Sequence, residues 1–146
     1  MTETPRITRI EIHTTECELP DLGRDYNGFN MIYHPGNRLR SRGHVLRIET
    51  SVGIAGEYGK PFGGDESTYA QVRSVAGYLL GKNPLERELI YNDLKRGLRK
   101  LDRMGNGPID IALWDFAGKL YGVPIYQLLG GYRKRLPAYA STLSAD

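Results

Sequence analysis

The sequence predicts an α+β fold, in which a three-stranded antiparallel sheet is followed by a bundle of helices. Three short segments alternate apolar and polar residues, at 7–14, 44–50 and 54–58. Two amphipathic helix patterns come next, and a third, at 108–121, is apolar on nearly every side. Strands that come first and helices that come afterwards are typical of α+β domains. With 146 residues, 40% of them hydrophobic, the chain can bury a core.

The three strands are expected to form one sheet with one buried face. In the first strand Ile10 and Ile12 point one way, and the polar residues Arg9, Glu11 and His13 point the other way. The second and third strands are separated by a short connection in which Gly53 can supply the turn conformation, so this pair is predicted to be a hairpin.

Two connections are predicted to be irregular. Residues 20–43 combine glycines, prolines and Asn or Asp residues with aromatic side chains, which favours a long loop that packs on something. Residues 59–65 form a second, glycine-rich connection that carries a cation and an aromatic residue. Loops as long as residues 20–43 in compact domains are usually functional or disordered, and the aromatic side chains in this loop argue against simple disorder.

Two helices are predicted at 68–80 and 84–103. Asn83 is the expected cap of the second helix, with Pro84 in its first position and Glu86 reaching back in a capping-box arrangement. Five leucines are expected to form its buried stripe: Leu85, Leu89, Leu94, Leu98 and Leu101.

The helix at 108–121 is predicted to be the central core helix. Pro108 suits the first turn, and Gly122 is a stop signal. Its main apolar face consists of Ile109, Ala112, Leu113, Phe116 and Leu120, and neighbouring faces add Ile111, Trp114, Ala117 and Tyr121. A helix this apolar needs partners on several sides. A short helical turn at 125–129 is expected to follow.

Composition argues against several classes of protein. The formal charge of +3 and the pI near 9.0 are too mild for a nucleic-acid binder. A basic cluster on the second helix is interpreted as a solvated face, and the alternative, a nucleic-acid contact, predicts salt-sensitive binding: Arg96, Arg99, Lys100 and Arg103. Cys17 is the one cysteine, and no apolar stretch has membrane length, so we expect a cytoplasmic protein with neither a nucleic-acid nor a membrane partner.

The chain contains no recognisable active-site motif of its own. Asp110 and Asp115 lie on the central helix, but a separation of five residues places them roughly 140° apart around its axis. We interpret both as structural, with Asp110 in the first helical turn and Asp115 paired with a local donor. No catalytic residue and no metal ligand is therefore assigned to this chain.

A long, contiguous part of the sequence resembles a known enzyme family. The motifs are Asp110-Ile-Ala-Leu-Trp-Asp115, Gly122-Val-Pro124, Gln127-Leu-Leu-Gly-Gly131 and Arg135-Leu-Pro-Ala-Tyr-Ala-Ser-Thr142. In this order they resemble the mandelate racemase and muconate-lactonizing branch of the enolase superfamily. The resemblance implies that residues 1–131 are the N-terminal capping domain. It implies that residues 132–146 are a linker and the first strand, at 136–142, of a truncated (β/α) barrel whose remaining strands are absent from this chain.

The resemblance also implies an activity for the parent enzyme. Enzymes of this superfamily abstract a proton next to a carboxylate and stabilise the product on Mg²⁺. The parent is thus expected to be a racemase, cycloisomerase or acid-sugar dehydratase. Its base and metal ligands are expected on barrel strands that this chain lacks, so the chain alone should be inactive. The implied partners are a small carboxylic-acid substrate, the catalytic barrel and further copies of the same protein.

In the resembled family, two loops of the capping domain close over the barrel and select the substrate. They correspond to residues 20–43 and 59–65. The candidate substrate-binding residues are Tyr26, Tyr33, His34, Arg38 and Lys60, with Ser141 and Thr142 at the predicted barrel strand. Cationic groups suit an anionic substrate, and aromatic side chains can form a wall around it.

A second hypothesis is a stand-alone interaction module that keeps the capping fold without catalysis. In such a module the segment 136–146 should pack as a tail or pair with the sheet. In a piece of an enzyme, the same segment should be a frayed edge.

Overall fold

A computed structural model describes residues 3–20, 36, 38–60 and 66–138, and for Lys60 the backbone alone. The predicted α+β class is confirmed. Three strands form an antiparallel sheet in the order β1-β2-β3, and the helices follow them. The elements are β1 Ile7–Leu19, β2 Leu39–Thr50, β3 Ala55–Lys60, α1 Glu66–Leu79, α2 Arg87–Gly97, α3 Asn106–Tyr121 and α4 Ile125–Leu128.

The sheet buries one face, as predicted. Leu46 and Ile48 on β2 are fully buried, and they lie opposite Ile12 and Ile10 of β1 in the register. The hairpin between β2 and β3 is also confirmed. Gly53 has a φ of 76°, and its N–H donates to the carbonyl oxygen of Thr50 at 3.1 Å. A positive φ is readily adopted by glycine, which explains why it stands here.

The first two strands are longer than predicted. We expected β1 to end at residue 14 and an irregular loop over 20–43, but β1 continues to Leu19 and β2 begins at Leu39. The two extensions pair with each other, as in Glu16 opposite Arg42 and Glu18 opposite Arg40. Because charged pairs across the strands replace the apolar alternation, a search for hydrophobic period-2 patterns misses this part of the sheet.

The second helix differs most from its prediction. We expected 84–103, but α2 covers Arg87–Gly97. The side chain of Asn83 accepts a hydrogen bond from the N–H of Leu85 at 3.1 Å, so it caps a turn before the helix, and Glu86 makes no capping bond. The buried row is Ile90, Leu94 and Leu98, whereas Leu89 and Leu101 are half exposed. Leu101 lies beyond the last helical turn, so the periodic pattern does not apply to it.

Helix α3 is the centre of the core, as predicted. Ile109, Ala112 and Phe116 have no exposed surface, and Gly122 ends the helix in the left-handed conformation with φ 67°. Gly56 of β3 lies directly against the backbone of Ala112. The helix begins at Asn106, two residues before the predicted start, so Asp110 lies in the second turn and the prediction of the first turn was wrong.

Only part of the apolar surface of α3 is covered by the described residues. The guanidinium of Arg87 stacks on the ring of Trp114, with 3.8 Å between its carbon and the ring centre. Ile111 is 43% exposed and Tyr121 57% exposed. Ile111 and Tyr121 therefore leave apolar surface of α3 that the described residues do not fully cover.

The segment after α4 is irregular and solvent-exposed where it is described. Residues 132–138 form neither helix nor strand, and Leu136 is 73% exposed. A strand was predicted at 136–142. Residues 136–138 are not in a strand, and residues 139–142 lie outside the described part of the chain.

Within the ranges that the structure covers, no helix is both long enough and apolar enough to cross a membrane.

Candidate functional site

The two candidate loops join the sheet at the same end. Strands β1 and β3 both run antiparallel to β2, so β1 ends at Leu19 and β3 ends at Lys60 on the side where β2 begins. Residues 21–35 follow β1, and residues 61–65 connect β3 to α1. This end of the sheet is therefore the point from which both candidate segments leave the core.

At this end β1 and β2 extend beyond β3. The β2–β3 register stops at His44 opposite Lys60, whereas the β1–β2 register continues to Leu19 opposite Leu39. We call this two-stranded extension, residues 15–19 and 39–43, the arm. An isolated two-stranded ribbon is at best marginally stable in water, so the arm depends on its cross-strand contacts and on what lies against it.

Ion pairs hold the arm together. The Arg42 guanidinium donates to Glu16 of β1 at 2.7 Å and to Glu66, the first residue of α1, at 3.4 Å. Glu16 and then Glu66 raise the pKa of Arg42. Nearer the tip, Arg38 donates to Glu18 at 3.1 Å. The arm is thus a charged ribbon that is fixed to the helical layer through Glu66.

Of the predicted site residues, Arg38 is the one whose side chain is described. It lies beside the tip of the arm, and its side chain is 74% exposed. The backbone of Lys60 lies at the end of β3, opposite His44. Tyr26, Tyr33, His34, Ser141 and Thr142 lie outside the described residues, so their roles stay predictions.

Two residues at this site were missed by the sequence reasoning. His44 is 5% exposed, and its Nδ1 lies 3.1 Å from the hydroxyl oxygen of Thr14. Glu66 contacts Arg42 and lies 4.0 Å from His44 Nε2. In the sequence His44 reads as the first residue of a strand, and Glu66 precedes the predicted start of α1. Neither position carries a local signal, because the contacts join residues far apart in the chain.

A second charged network closes the outer edge of β3. Asp115 on α3 accepts the N–H of Glu57 at 2.9 Å, as well as the ammonium group of Lys119 at 2.6 Å. Lys119 also donates to the carbonyl oxygen of Ala55 and to the Glu57 carboxylate, both at 3.0 Å. Glu57 pairs in addition with Arg47. The prediction that Asp115 pairs with a local donor is confirmed by Lys119, one helical turn away. Side chains of α3 thus bind the N–H of Glu57 and the carbonyl oxygen of Ala55, two backbone groups on the edge strand β3.

This network predicts a loss of stability in acid. Lys119 and then Arg47 lower the pKa of Glu57 from its usual 4.5. A carboxyl group whose pKa is lower in the folded state stabilises the protein above its unfolded pKa, and this contribution is lost as the pH falls through the folded value. Glu57 is 41% exposed, so the loss below pH 4.5 should be no more than about 1 kcal/mol. Urea unfolding between pH 6 and pH 3 measures it.

The control for this prediction is Lys119→Met, which removes the strongest cause of the lowered pKa. We expect the acid-dependent decline to become smaller in the variant. An unchanged decline would show that other carboxylates are responsible.

The described residues offer neither a metal site nor a convergent pair of acids. Among them, no group of three or more His, Cys, Asp and Glu side chains could hold a metal ion. The Asp115 carboxylate already accepts the N–H of Glu57 and pairs with the ammonium group of Lys119. Burial raises the pKa of Asp110, and nearby Glu88 adds to this effect. What the arm offers instead is a set of charged donors and acceptors, which suits polar recognition.

Comparison with known proteins places this arrangement in a family. Residues 36–130 match the family model described as "Mandelate racemase / muconate lactonizing enzyme, N-terminal domain". The match begins beside the arm and ends just after α4. It therefore covers the sheet from β2 onward and all the helices.

Two curated relatives are similar over most of this chain. D-galactarolactone cycloisomerase from Agrobacterium fabrum is 40% identical over 111 residues, which cover 71% of this chain and 29% of the relative. D-galactonate dehydratase from Ralstonia nicotianae is 40% identical over 114 residues, covering 70% of this chain and 28% of the relative. The chain thus spans less than a third of the length of these enzymes.

Solved structures share the fold. A member of the enolase superfamily from Roseovarius nubinhibens, solved in complex with magnesium, aligns with a TM-score of 0.65 and 27% identity. The alignment covers 88% of this chain and 34% of that one. The sheet and helices described above thus correspond to about a third of a larger, magnesium-binding protein.

Proposed function

This chain belongs to the family of the mandelate racemase / muconate lactonizing enzyme N-terminal domain, and from that premise we propose that it caps the catalytic barrel of a Mg²⁺-dependent enzyme acting on an acid sugar. The observation that carries the proposal is the 40% identity to a galactarolactone cycloisomerase and to a galactonate dehydratase. Both relatives act on sugar acids or their lactones, by their names. The parent reaction is then a cycloisomerisation, a dehydration or a racemisation that begins with removal of a proton next to a carboxylate.

The division of the chain follows from this proposal. Residues 1–131 are the capping domain, and residues 132–146 lead into the first strand of the barrel. The exposed apolar side chains of Ile111 and Tyr121 on α3 support a docked neighbour at this helix. The barrel is the neighbour that we propose.

In solution the parent is a cytoplasmic homo-oligomer that binds neither nucleic acid nor a membrane.

The metal belongs to the barrel in this proposal. Mg²⁺ is held by oxygen ligands in octahedral geometry, and the described residues contain no cluster of acids for this purpose. When bound, Mg²⁺ stabilises the negative charge that develops after proton removal. The capping domain contributes substrate contacts and the exclusion of water, which strengthens electrostatic interactions at the reacting carbon.

The substrate contacts are proposed on the two candidate loops and the strand that follows the domain. Tyr26, Tyr33 and His34 come from the first loop, Arg38 and Lys60 lie beside the loop ends, and Ser141 and Thr142 are at the barrel strand. Arg38 is supported by its exposure and its position beside the tip of the arm, and its fork of N–H donors suits a carboxylate.

The test is turnover by the full-length gene product that carries this domain. We expect it to consume D-galactonate or D-galactarolactone in the presence of Mg²⁺ and to lose activity in EDTA, as followed by NMR of the sugar. In ²H₂O, exchange of the proton next to the carboxylate should accompany turnover. A full-length product that neither turns over nor exchanges any sugar acid in a hexonate and hexarate panel would contradict the proposal.

Arg38→Ala tests the specificity role within the same enzyme. Loss of a charge-assisted hydrogen bond to the substrate should raise KM about tenfold. If Arg38 binds the substrate without taking part in the chemistry, kcat should stay within about twofold. Arg9→Ala is the matched control, because Arg9 also makes an exposed ion pair, with Glu11 at 2.6 Å, at the opposite end of β1. Equal KM values for wild type and Arg38→Ala would exclude the contact.

A further inference from the structure

Arginines recur at every second position where β2 begins, at Arg38, Arg40 and Arg42. The β1–β2 register is unbroken from the arm into the core. Successive side chains of a strand point to opposite faces, so Arg40 and Arg42 lie on the same face as the buried Leu46. The contact of Arg42 with Glu66 of α1 agrees with this placement. The Arg40 side chain therefore projects from the arm on the helical side of the sheet.

The carboxylates nearest to Arg40 are bound by the two flanking arginines. Glu16 accepts from Arg42 at 2.7 Å, and Glu18 accepts from Arg38 at 3.1 Å. Glu18 lies opposite Arg40 in the register, yet its hydrogen bond comes from Arg38. Arg40 is exposed, and within the described ranges its side chain makes neither an ion pair nor a hydrogen bond. Its five N–H donors are thus available to an anion from elsewhere.

Arg40 lies between the two places where the candidate segments leave the core. Residues 61–65 rejoin the core at Glu66, which Arg42 contacts, and residues 21–35 follow Leu19 at the tip of the arm. Arg40 is two residues from Arg42 toward that tip, or about 7 Å along the strand. In the proposed function, on which this inference rests, both segments contribute substrate contacts. A substrate anion held at this end of the sheet would meet the Arg40 guanidinium.

The two ends of a sugar acid need different partners. Mg²⁺ stabilises the charge that develops after proton removal, so the carboxylate beside the abstracted proton lies at the metal in the barrel. The capping domain then meets the opposite end of the substrate. That end is a neutral hydroxymethyl group in a hexonate and a second carboxylate in a hexarate. A guanidinium forms two parallel, charge-assisted hydrogen bonds with a carboxylate, whereas a hydroxyl group offers neither the charge nor the matching geometry.

We propose that Arg40 binds the second carboxylate of a sugar dicarboxylate, which makes hexarates the substrate class of the parent enzyme. Arg42 stays with Glu16 and Glu66 and holds the strand that carries Arg40. Arg38, which shares its guanidinium with Glu18, adds to the positive charge near the tip of the arm.

The test uses the full-length protein with Mg²⁺ and pairs of sugar acids that differ only at this end: galactarate with galactonate, and glucarate with gluconate. In the pair that is turned over faster, kcat/KM for the hexarate should exceed that for the hexonate about thirtyfold, as expected for a charge-assisted hydrogen bond. Arg40→Gln should lower kcat/KM for the hexarate about thirtyfold, mainly through KM, and change that for the hexonate less than about threefold. Arg40→Lys keeps the charge without the fork and should lie about fivefold below wild type.

Arg73→Gln is the matched control. Arg73 on α1 is exposed and, in the part of the chain that the structure describes, also makes no ion pair or hydrogen bond through its side chain. The variant therefore removes the same charge away from the arm, and kcat/KM for the hexarate should stay within about twofold of wild type. Because Arg40 has no described partner to lose, Arg40→Gln should keep its thermal unfolding midpoint within about 2 °C.

The possible outcomes separate this inference from the proposed function. Equal losses in Arg40→Gln and Arg73→Gln would overturn the inference, as would an Arg40→Gln loss that is the same for hexarates and hexonates. Turnover confined to hexonates or to lactones would retain the proposed function and overturn the inference alone. If no sugar acid is turned over, the proposed function is contradicted and the inference fails with it.

Discussion

Replacing Gly56 with alanine should lower the free energy of unfolding by about 3 kcal/mol. A Cβ atom at this position would lie 2.0 Å from the carbonyl oxygen of Ala112 and 2.9 Å from the Cβ of Phe116. The nearest obstacle is the helix backbone, which cannot rotate away as a long side chain can. To accept the methyl group, β3 and α3 must separate, and their separation would disturb the core between them.

The measurement is urea unfolding followed by circular dichroism, with Gly77→Ala as the control. Gly77 lies in α1, and a Cβ there would meet nothing within 4 Å. Alanine favours a helix over glycine, so the control should gain about 0.5–1 kcal/mol. The same substitution is thus expected to have opposite signs at the two sites. A small loss at Gly56 would mean that α3 can move away from the sheet at little cost.

Phe116→Ala is expected to destabilise the protein by about 4 kcal/mol, since it removes a large side chain and leaves a cavity. Phe116 has no exposed surface, and it lies on α3 beside Gly56 of β3. The loss should appear as a lower urea midpoint with an unchanged slope. Tyr121→Ala is the comparison on the same helix. Tyr121 is 57% exposed, so its truncation should change the stability of this chain by about 0.5 kcal/mol or less. Similar losses at both positions would contradict the assignment of the core.

Local signals account for the parts of the fold that the sequence predicted well. The left-handed glycine after α3 and the turn glycine of the hairpin are each encoded within a few residues, and the structure has both. The face of α3 that contains Ile109, Ala112 and Phe116 is buried because periodicity and composition agree there. Where the local pattern and the global fold favour the same answer, prediction from one sequence succeeds.

The parts that were missed depend on contacts between distant residues. The arm is joined by charged pairs such as Glu16 with Arg42, which local periodicity cannot pair. The His44–Glu66 approach likewise joins a strand to a helix. In α2, the turn made by Asn83 delays the start of the helix, although the same residue reads as a helix cap. Among the predicted site residues, Arg38 was placed beside the arm, and the roles of all seven candidates stay predictions.

The arm and the hydrophobic core share no residues. The core cluster draws on β1 and β2 through Ile7, Leu46 and Ile48, all on the other side of His44 from the arm. Apart from changes at the buried Gly43, sequence changes at 15–19 and 39–42 therefore have little to disrupt in the interior. In the proposed function the arm borders the substrate, so a lineage could alter this border repeatedly while the scaffold keeps its stability, and a protein engineer could exchange arms between relatives for the same reason. On that proposal, the separation of arm from core lets one capping scaffold evolve to serve many substrates.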